Sequence, residues 1–321
     1  MSAKTVKTHT AKREMQSTRK AAGKAILELA QEGRDVVALA ADTAKSMYTT
    51  LLAEEYPDRA VDVGIAEQNM VMMAAGLAST GKTAFAASYS VFTSMRCSEQ
   101  LRTFAAYPRL NVNVIAGIGG YSGGIEGVTH LATEDLGIMR CIAGMTVLAP
   151  ADAAATRKAV KAAAELSGPV YIRVGRDDSP VLFDESYPFE VGVPILHKEG
   201  GDITLVSTGL ATAYVFEAAE LLAKEGISAE LIEVHTLKPI LQQEIIADSI
   251  AKTGKVLTIE EHNIVGGLAT VVAELMEGKG VFEFGKIGLP DIFGESGTPE
   301  ELRRKYKVEP EAIAEEARTL L

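Results

Sequence analysis

Cysteine is nearly absent: Cys97 and Cys141 are the only two in 321 residues. Neither sits in a metal-binding or redox spacing, so a disulfide scaffold is excluded and a reducing cytoplasm is the expected home. A basic excess is missing as well. The formal net charge is −11, whereas nucleic acids and anionic membrane surfaces both call for a cationic face. No apolar run approaches the length of a membrane span. The opening stretch MSAKTVKTHTAKREMQSTRK lacks the apolar core of a secretory signal. It is basic and hydroxyl-rich with a single acid, which leaves an organelle transit peptide open without requiring one. Two nucleotide signatures are also missing, the G-x-G-x-x-G fingerprint and the G-x-x-x-x-G-K-[ST] phosphate loop.

What is present is an ordinary globular composition, 47% apolar and 23% charged, in a chain too long for one compact core. Two domains are expected. A polar arm over 1–14 precedes a helix over STRKAAGKAILELAQEG, with Ser17 as its cap and Gly33 at its exit. DVVALAAD, TAFAASYS, NVNVIAGIG, MTVLAP and VYIRV read as strands, mostly apolar as in a sheet buried on both faces. Helical patterns lie between them, including AEQNMVMMAAGLASTG and DAAATRKAVKAAAEL. This first unit spans 15–182. A stretch rich in proline, charge and glycine reads as a linker over 183–200, with room for a short hairpin. A second alternating series follows over 201–321, in which ITLVSTG, SAELIEVHTL and KVLTIEEH are strands. Strands alternating with helices predict an α/β protein with mostly parallel sheets flanked by helices in both units.

Glu67 poses an energetic question. It stands in DVGIAEQNM, directly before the apolar run MVMMAAGLA. A lone acid leading into a buried helix costs free energy unless it is paired or put to use. Burial there favours the protonated carboxyl, which suits it to share a proton with a weak base; the plain alternative is a helix N-terminal carboxylate favoured by the dipole. A second feature is the glycine-rich GIGGYSGGIEG after a strand, which runs into Glu126 and His130. Glycine lets backbone approach a ligand closely, and open α/β sheets bind ligands at the C-terminal ends of their strands. A flexible surface loop explains the glycines equally well. His262, beside two acids in IEEHNIVGGLAT, reads as part of a strand-end or interface network.

Taken together, GIAEQNMVMMAAGLASTG, SYSVF and GGIEGVTH, in that order, resemble the pyrimidine-binding domain of the transketolase family of thiamine-diphosphate enzymes. TLVSTG, LIEVHTLKP and EEHNIVGGLAT similarly resemble that family's C-terminal domain. The resemblance implies that Glu67 hydrogen-bonds the ring nitrogen of the cofactor's pyrimidine and so activates the neighbouring amine. That amine removes the thiazolium C2 proton, and the resulting carbanion carries a two-carbon ketol unit from a ketose to an aldose. Phe92 matches the aromatic packed on the pyrimidine, and Asp42 an acid near the thiazolium and substrate. His130 matches a histidine that binds substrate hydroxyls and shuttles protons. Glu126 stands where many relatives have aspartate. Arg19, Ser46 and Arg173 match the phosphate end of the sugar site, where an arginine fork suits a phosphate. The histidine that sugar-phosphate transketolases carry before the glycine loop is missing from VIAGIGG. This implies a differently held acceptor or a different substrate.

The family holds its diphosphate through Mg²⁺ with a G-D-G segment and downstream asparagines. Neither is here: the four asparagines are Asn69, Asn111, Asn113 and Asn263, and no G-D-G occurs. The resemblance therefore implies the smaller, C-terminal subunit of a split transketolase. A separate N-terminal subunit would hold Mg²⁺ and the diphosphate, in an α2β2 heterotetramer. Two related readings stay open: the β subunit of a 2-oxo acid dehydrogenase, and a deoxyxylulose-phosphate-synthase-like enzyme. Arg96 lies one residue away from the arginine that the latter carries after its aromatic. A reading of another class is a non-catalytic paralogue that binds or regulates a partner.

Overall fold

A computed structural model describes residues 14–321, so the polar arm expected over 1–14 lies, apart from Glu14, outside the described residues. Two sheets organise the chain. The larger runs from edge to edge as Thr236–Lys238, Thr146–Leu148, Val170–Arg173, Val112–Gly117, Thr83–Tyr89, Val36–Ala40 and Ala60–Asp62. All neighbours in it pair in parallel except the edge strand Thr236–Lys238. The smaller runs Glu283–Leu289, Lys255–Asn263, Ile203–Ser207, Ala229–Glu233 and Ile195–Lys198, again parallel except at the last edge.

The strands are apolar because both faces are covered, and alternate side chains go to opposite faces. Val36, Ala38, Phe85 and Ile115 pack in one cluster with the Thr18–Gln31 and Ala153–Ala163 helices. Val37, Leu39, Ala86 and Val114 pack in another, under the Glu67–Ser79 helix. The smaller sheet is sandwiched likewise. Leu205, Leu231 and Leu257 face Thr212–Lys224 and Pro310–Thr319, while Val206, Ile232 and Val256 face Glu244–Thr253 and Leu268–Leu275.

Three placements differ from the sequence reading. SAELIEVHTL is not one strand: Ala229–Glu233 stays in the smaller sheet, and the chain then crosses to add Thr236–Lys238 to the larger. The break falls at His235, which is fully buried and whose carbonyl accepts from Ala149 N at 2.8 Å. Ile195–Lys198, within the stretch read as a linker, is already a strand of the smaller sheet. Asp178–Pro180 pairs back with Met15–Ser17, antiparallel, instead of forming a local hairpin. Among the described residues no helix is long and apolar enough to cross a membrane.

Candidate active site

Glu67 opens the Glu67–Ser79 helix and is only 2% exposed. The chain reaches it from the C-terminal end of Ala60–Asp62 through a turn at Gly64, whose φ of 72° suits glycine. Asp62 builds that turn. Its Oδ1 accepts from Gly64 N at 2.9 Å and from Asp42 N at 2.8 Å, tying together the ends of two adjacent strands. Asp42 itself is exposed, with φ at 57°.

The buried acid has a partner that the sequence reading did not assign. Arg96 Nη1 donates to Glu67 Oε2 at 2.6 Å, and the two side chains are 45% and 3% exposed. A charge-assisted contact this short offsets the burial of the carboxylate. The same guanidinium lies over the Phe92 ring, with Cζ 4.5 Å from the centroid. Phe92–Arg96 is a π-helical segment. The neighbouring Cys97 thiol is pushed up to about 12, first by burial and then by the charge of Glu67.

Phe92 leads on to His130. Their ring centroids are 5.4 Å apart at 74°, and Tyr89 lies 6.0 Å from His130 and 6.1 Å from Phe92. His130 Nδ1 is engaged by Thr129 Oγ1 at 2.9 Å. Tyr89 OH then reaches Ser46 Oγ at 3.2 Å, and Ser46 Oγ accepts from Arg19 Nη1 at 2.7 Å. Arg19 Nη1 also donates to Ser46 O at 2.9 Å, and Nη2 donates to the Arg176 carbonyl. Arg19 Nε is buried with no hydrogen-bond partner among the described residues. Burial lowers the pKa of this guanidinium, which stays charged nonetheless. Arg176 in turn pairs with Glu126 at 3.1 Å. Glu67, Phe92, His130, Ser46, Arg19 and Glu126 thus gather along the C-terminal edge of the larger sheet, at the ends of neighbouring strands.

Arg173, expected at the phosphate end of the sugar site, is placed apart from Arg19 and Ser46. It is 8% exposed and donates through Nη2 to Ala132 O and Glu261 O, both at 2.7 Å. Its Nε lies 3.3 Å from Asp135 Oδ2, close enough to pair but not aligned for a hydrogen bond. The side chain packs under the glycine loop, where a Cβ on Gly119 would come within 2.5 Å of it. Its guanidinium is spent on the protein, joining the loop to the second unit, and it does not meet Arg19 and Ser46. Gly120 shows the same constraint: φ is 65°, and a Cβ there would lie 2.7 Å from Glu261 O. Close packing of the chain on itself therefore demands these two glycines.

Below this loop, His262 is fully buried, takes its backbone neighbour Asn263 O at 2.7 Å through Nδ1, and is pushed down to about 4 by burial. Its Nε2 accepts from Gly137 N at 3.4 Å, linking the two units. Glu260 beside it accepts from Leu268 N and Ala269 N at 2.6 and 2.9 Å, while burial pushes it up to about 7. Four contributors went unassigned in the sequence. For Asp62 the signal was an acid two residues before a glycine, and for Arg176 the second arginine of YIRVGR. Tyr89 lay inside the quoted SYSVF, and Arg96 showed only as an offset.

Family profiles match two portions of the chain: "Transketolase, pyrimidine binding domain" over residues 14–180 and "Transketolase, C-terminal domain" over 193–313. A Methanocaldococcus jannaschii protein described as a transketolase C-terminal section is 41% identical over 299 residues, covering 92% of this chain and 93% of its own. The 6-deoxy-6-sulfo-D-fructose transketolase subunit SqwH of a Clostridium species is 38% identical, over 91% of this chain and 90% of its own. Human transketolase is 32% identical over 95% of this chain, which spans 49% of that protein. A solved structure described as "Split gene transketolase, inactive beta4 tetramer" superposes with a TM-score of 0.88 at 42% identity, covering 95% of this chain and 98% of that one.

Proposed function

The chain belongs to the transketolase family, and from that premise we propose that it is the C-terminal subunit of a two-chain transketolase. The observation that carries the proposal is the convergence of Glu67, Phe92 and His130 at one sheet edge. A buried carboxylate beside an aromatic face fits an aminopyrimidine, since one holds a ring nitrogen and the other stacks on the ring. Thiamine diphosphate would supply the nucleophilic carbon that takes up and hands on the two-carbon unit. Glu67 binds and polarises the pyrimidine through its ring nitrogen. Phe92 fixes the plane of the ring. His130, with Nδ1 held by Thr129, keeps Nε2 for a substrate hydroxyl and for moving a proton. Asp42 stands at the neighbouring strand end for the thiazolium side.

Arg19 and Ser46 hold the far end of the substrate, and a guanidinium fork there suits an oxyanion. Phosphate fits, and so does sulfonate, the group carried by the sugar in the name of the sulfofructose relative. Glu126, paired with Arg176, is in this reading the acid for the sugar hydroxyls. Mg²⁺ and the diphosphate belong in this reading to a separate N-terminal subunit, in an α2β2 heterotetramer with the cofactor across the interface. The relatives described as a C-terminal section and as a subunit support this division. The free, exposed Cys141 suits a reducing cytoplasm.

Calorimetry with thiamine diphosphate, on the chain mixed with its large subunit, tests the reading. Binding is expected in the wild-type complex. In Glu67→Gln, turnover should fall roughly a hundredfold or more with assembly intact. Full activity in that variant would overturn the proposal.

A further inference from the structure

Two contacts of Arg96 coincide with the two contacts assigned to the cofactor's ring. The guanidinium donates to Glu67 at 2.6 Å and covers Phe92 at 4.5 Å. A pyrimidine protonated on its ring nitrogen presents the same three properties: a plane, a delocalised positive charge, and an N–H aimed at a carboxylate. The other two rings against Phe92 are not stacked flat on it: Tyr89 is tilted at 35° and His130 stands edge-on at 74°. Arg96 is therefore the group seated on a Phe92 face, and it stands between that face and the buried carboxylate.

We infer that Arg96 is an internal stand-in for the pyrimidine ring, holding Glu67 and Phe92 in place and yielding both when the ring binds. The inference rests on the cofactor reading above. It gives the Glu67 carboxyl, at 2% exposure, a hydrogen-bonding partner within the chain until the ring arrives. The arginine can leave at little cost, because 45% of its side chain is exposed and the stem is flexible. Its departure is nonetheless a competition. Apparent affinity for the ring is reduced by the fraction of chains in which the stand-in is seated. One half-exposed ion pair and one cation–π contact make that reduction roughly five- to thirtyfold.

The test uses the full chain and the pyrimidine half of the cofactor alone, 4-amino-5-hydroxymethyl-2-methylpyrimidine, which needs no diphosphate site. Its binding is measured calorimetrically for the wild type, Arg96→Met, Arg96→Lys and Glu67→Gln, with circular dichroism confirming the fold. Arg96→Met should bind roughly five- to thirtyfold tighter than the wild type. Arg96→Lys, which keeps the charge but not the plane, should fall between them and serves if the methionine variant does not fold. Glu67→Gln should lose binding. Equal or weaker binding by both Arg96 variants, with the Glu67 dependence intact, would overturn the stand-in alone. Binding indifferent to Glu67→Gln, or absent throughout, would overturn the cofactor reading and the stand-in with it.

Discussion

Replacing Arg173 with methionine separates a structural strut from a phosphate ligand. Methionine keeps most of the apolar stem and removes the fork that donates to Ala132 O and Glu261 O at 2.7 Å. Two buried carbonyls then lose a charged donor. Asp135, fully buried, keeps only the Tyr171 hydroxyl at 2.9 Å among the described residues. Removing one member of a buried ion pair costs about 3–5 kcal/mol, because the partner charge is left behind. For a chain of this length the unfolding entropy is on the order of 0.7 kcal/mol/K, so the melting temperature should fall by about 4–8 °C. Differential scanning calorimetry of the full chain reads this directly. Adding Asp135→Asn should return roughly 1–2 kcal/mol, since the stranded charge is gone while the tyrosine contact survives. Melting within about 1 °C of wild type, together with a raised KM for a phosphorylated substrate, would refute the strut and restore Arg173 to the substrate site.

Arg19→Met should raise KM for a sugar bearing a terminal phosphate or sulfonate by roughly 10–100-fold, with kcat little changed and uncharged sugars unaffected, in steady-state assays of the assembled enzyme. Asp62→Ala leaves Asp42 N and Gly64 N without their shared acceptor; urea denaturation should show a loss of about 0.5–1.5 kcal/mol, small because the site is exposed. The buried pair Glu260 and His262 gives a pH test. Glu260 sits at about 7 against an ordinary 4.5, so the folded state binds the extra proton and stability falls as pH rises through that window. His262 sits at about 4 against 6.5, so stability falls instead as pH drops through its own window. The two slopes oppose each other over the shared range. Glu260→Gln should therefore unmask a melting temperature that climbs with pH up to about 6.5; a profile parallel to wild type would contradict this.

The sequence discloses what depends on local pattern. Strands buried on both faces are apolar throughout, so VVALA and VNVIA are legible without knowing their neighbours. Glu67, Phe92 and His130 were singled out by motifs that stand in order along the chain, and the fold brings the three together. Pairing across distance is not legible. Thr236–Lys238 continues an apolar run and yet joins the other sheet, a choice made by the register of Thr146–Leu148. Ile195–Lys198 is short and ends in charge and glycine, so it is disguised as linker. Which arginine meets which acid is settled by tertiary packing: Arg173 and Arg176 are three residues apart, and only the second carries its guanidinium to Glu126. Arg96 was hidden because its contact with Glu67 joins residues 29 apart in the sequence.

The most direct test of the two-chain reading is turnover with and without a second subunit. The chain is assayed with thiamine diphosphate, Mg²⁺, a ketose donor and an aldose acceptor, alone and then with a separate chain bearing a G-D-G segment and downstream asparagines. Two-carbon transfer should appear only in the mixture, with both chains in equal number in the active species. Transfer by this chain alone would contradict the account.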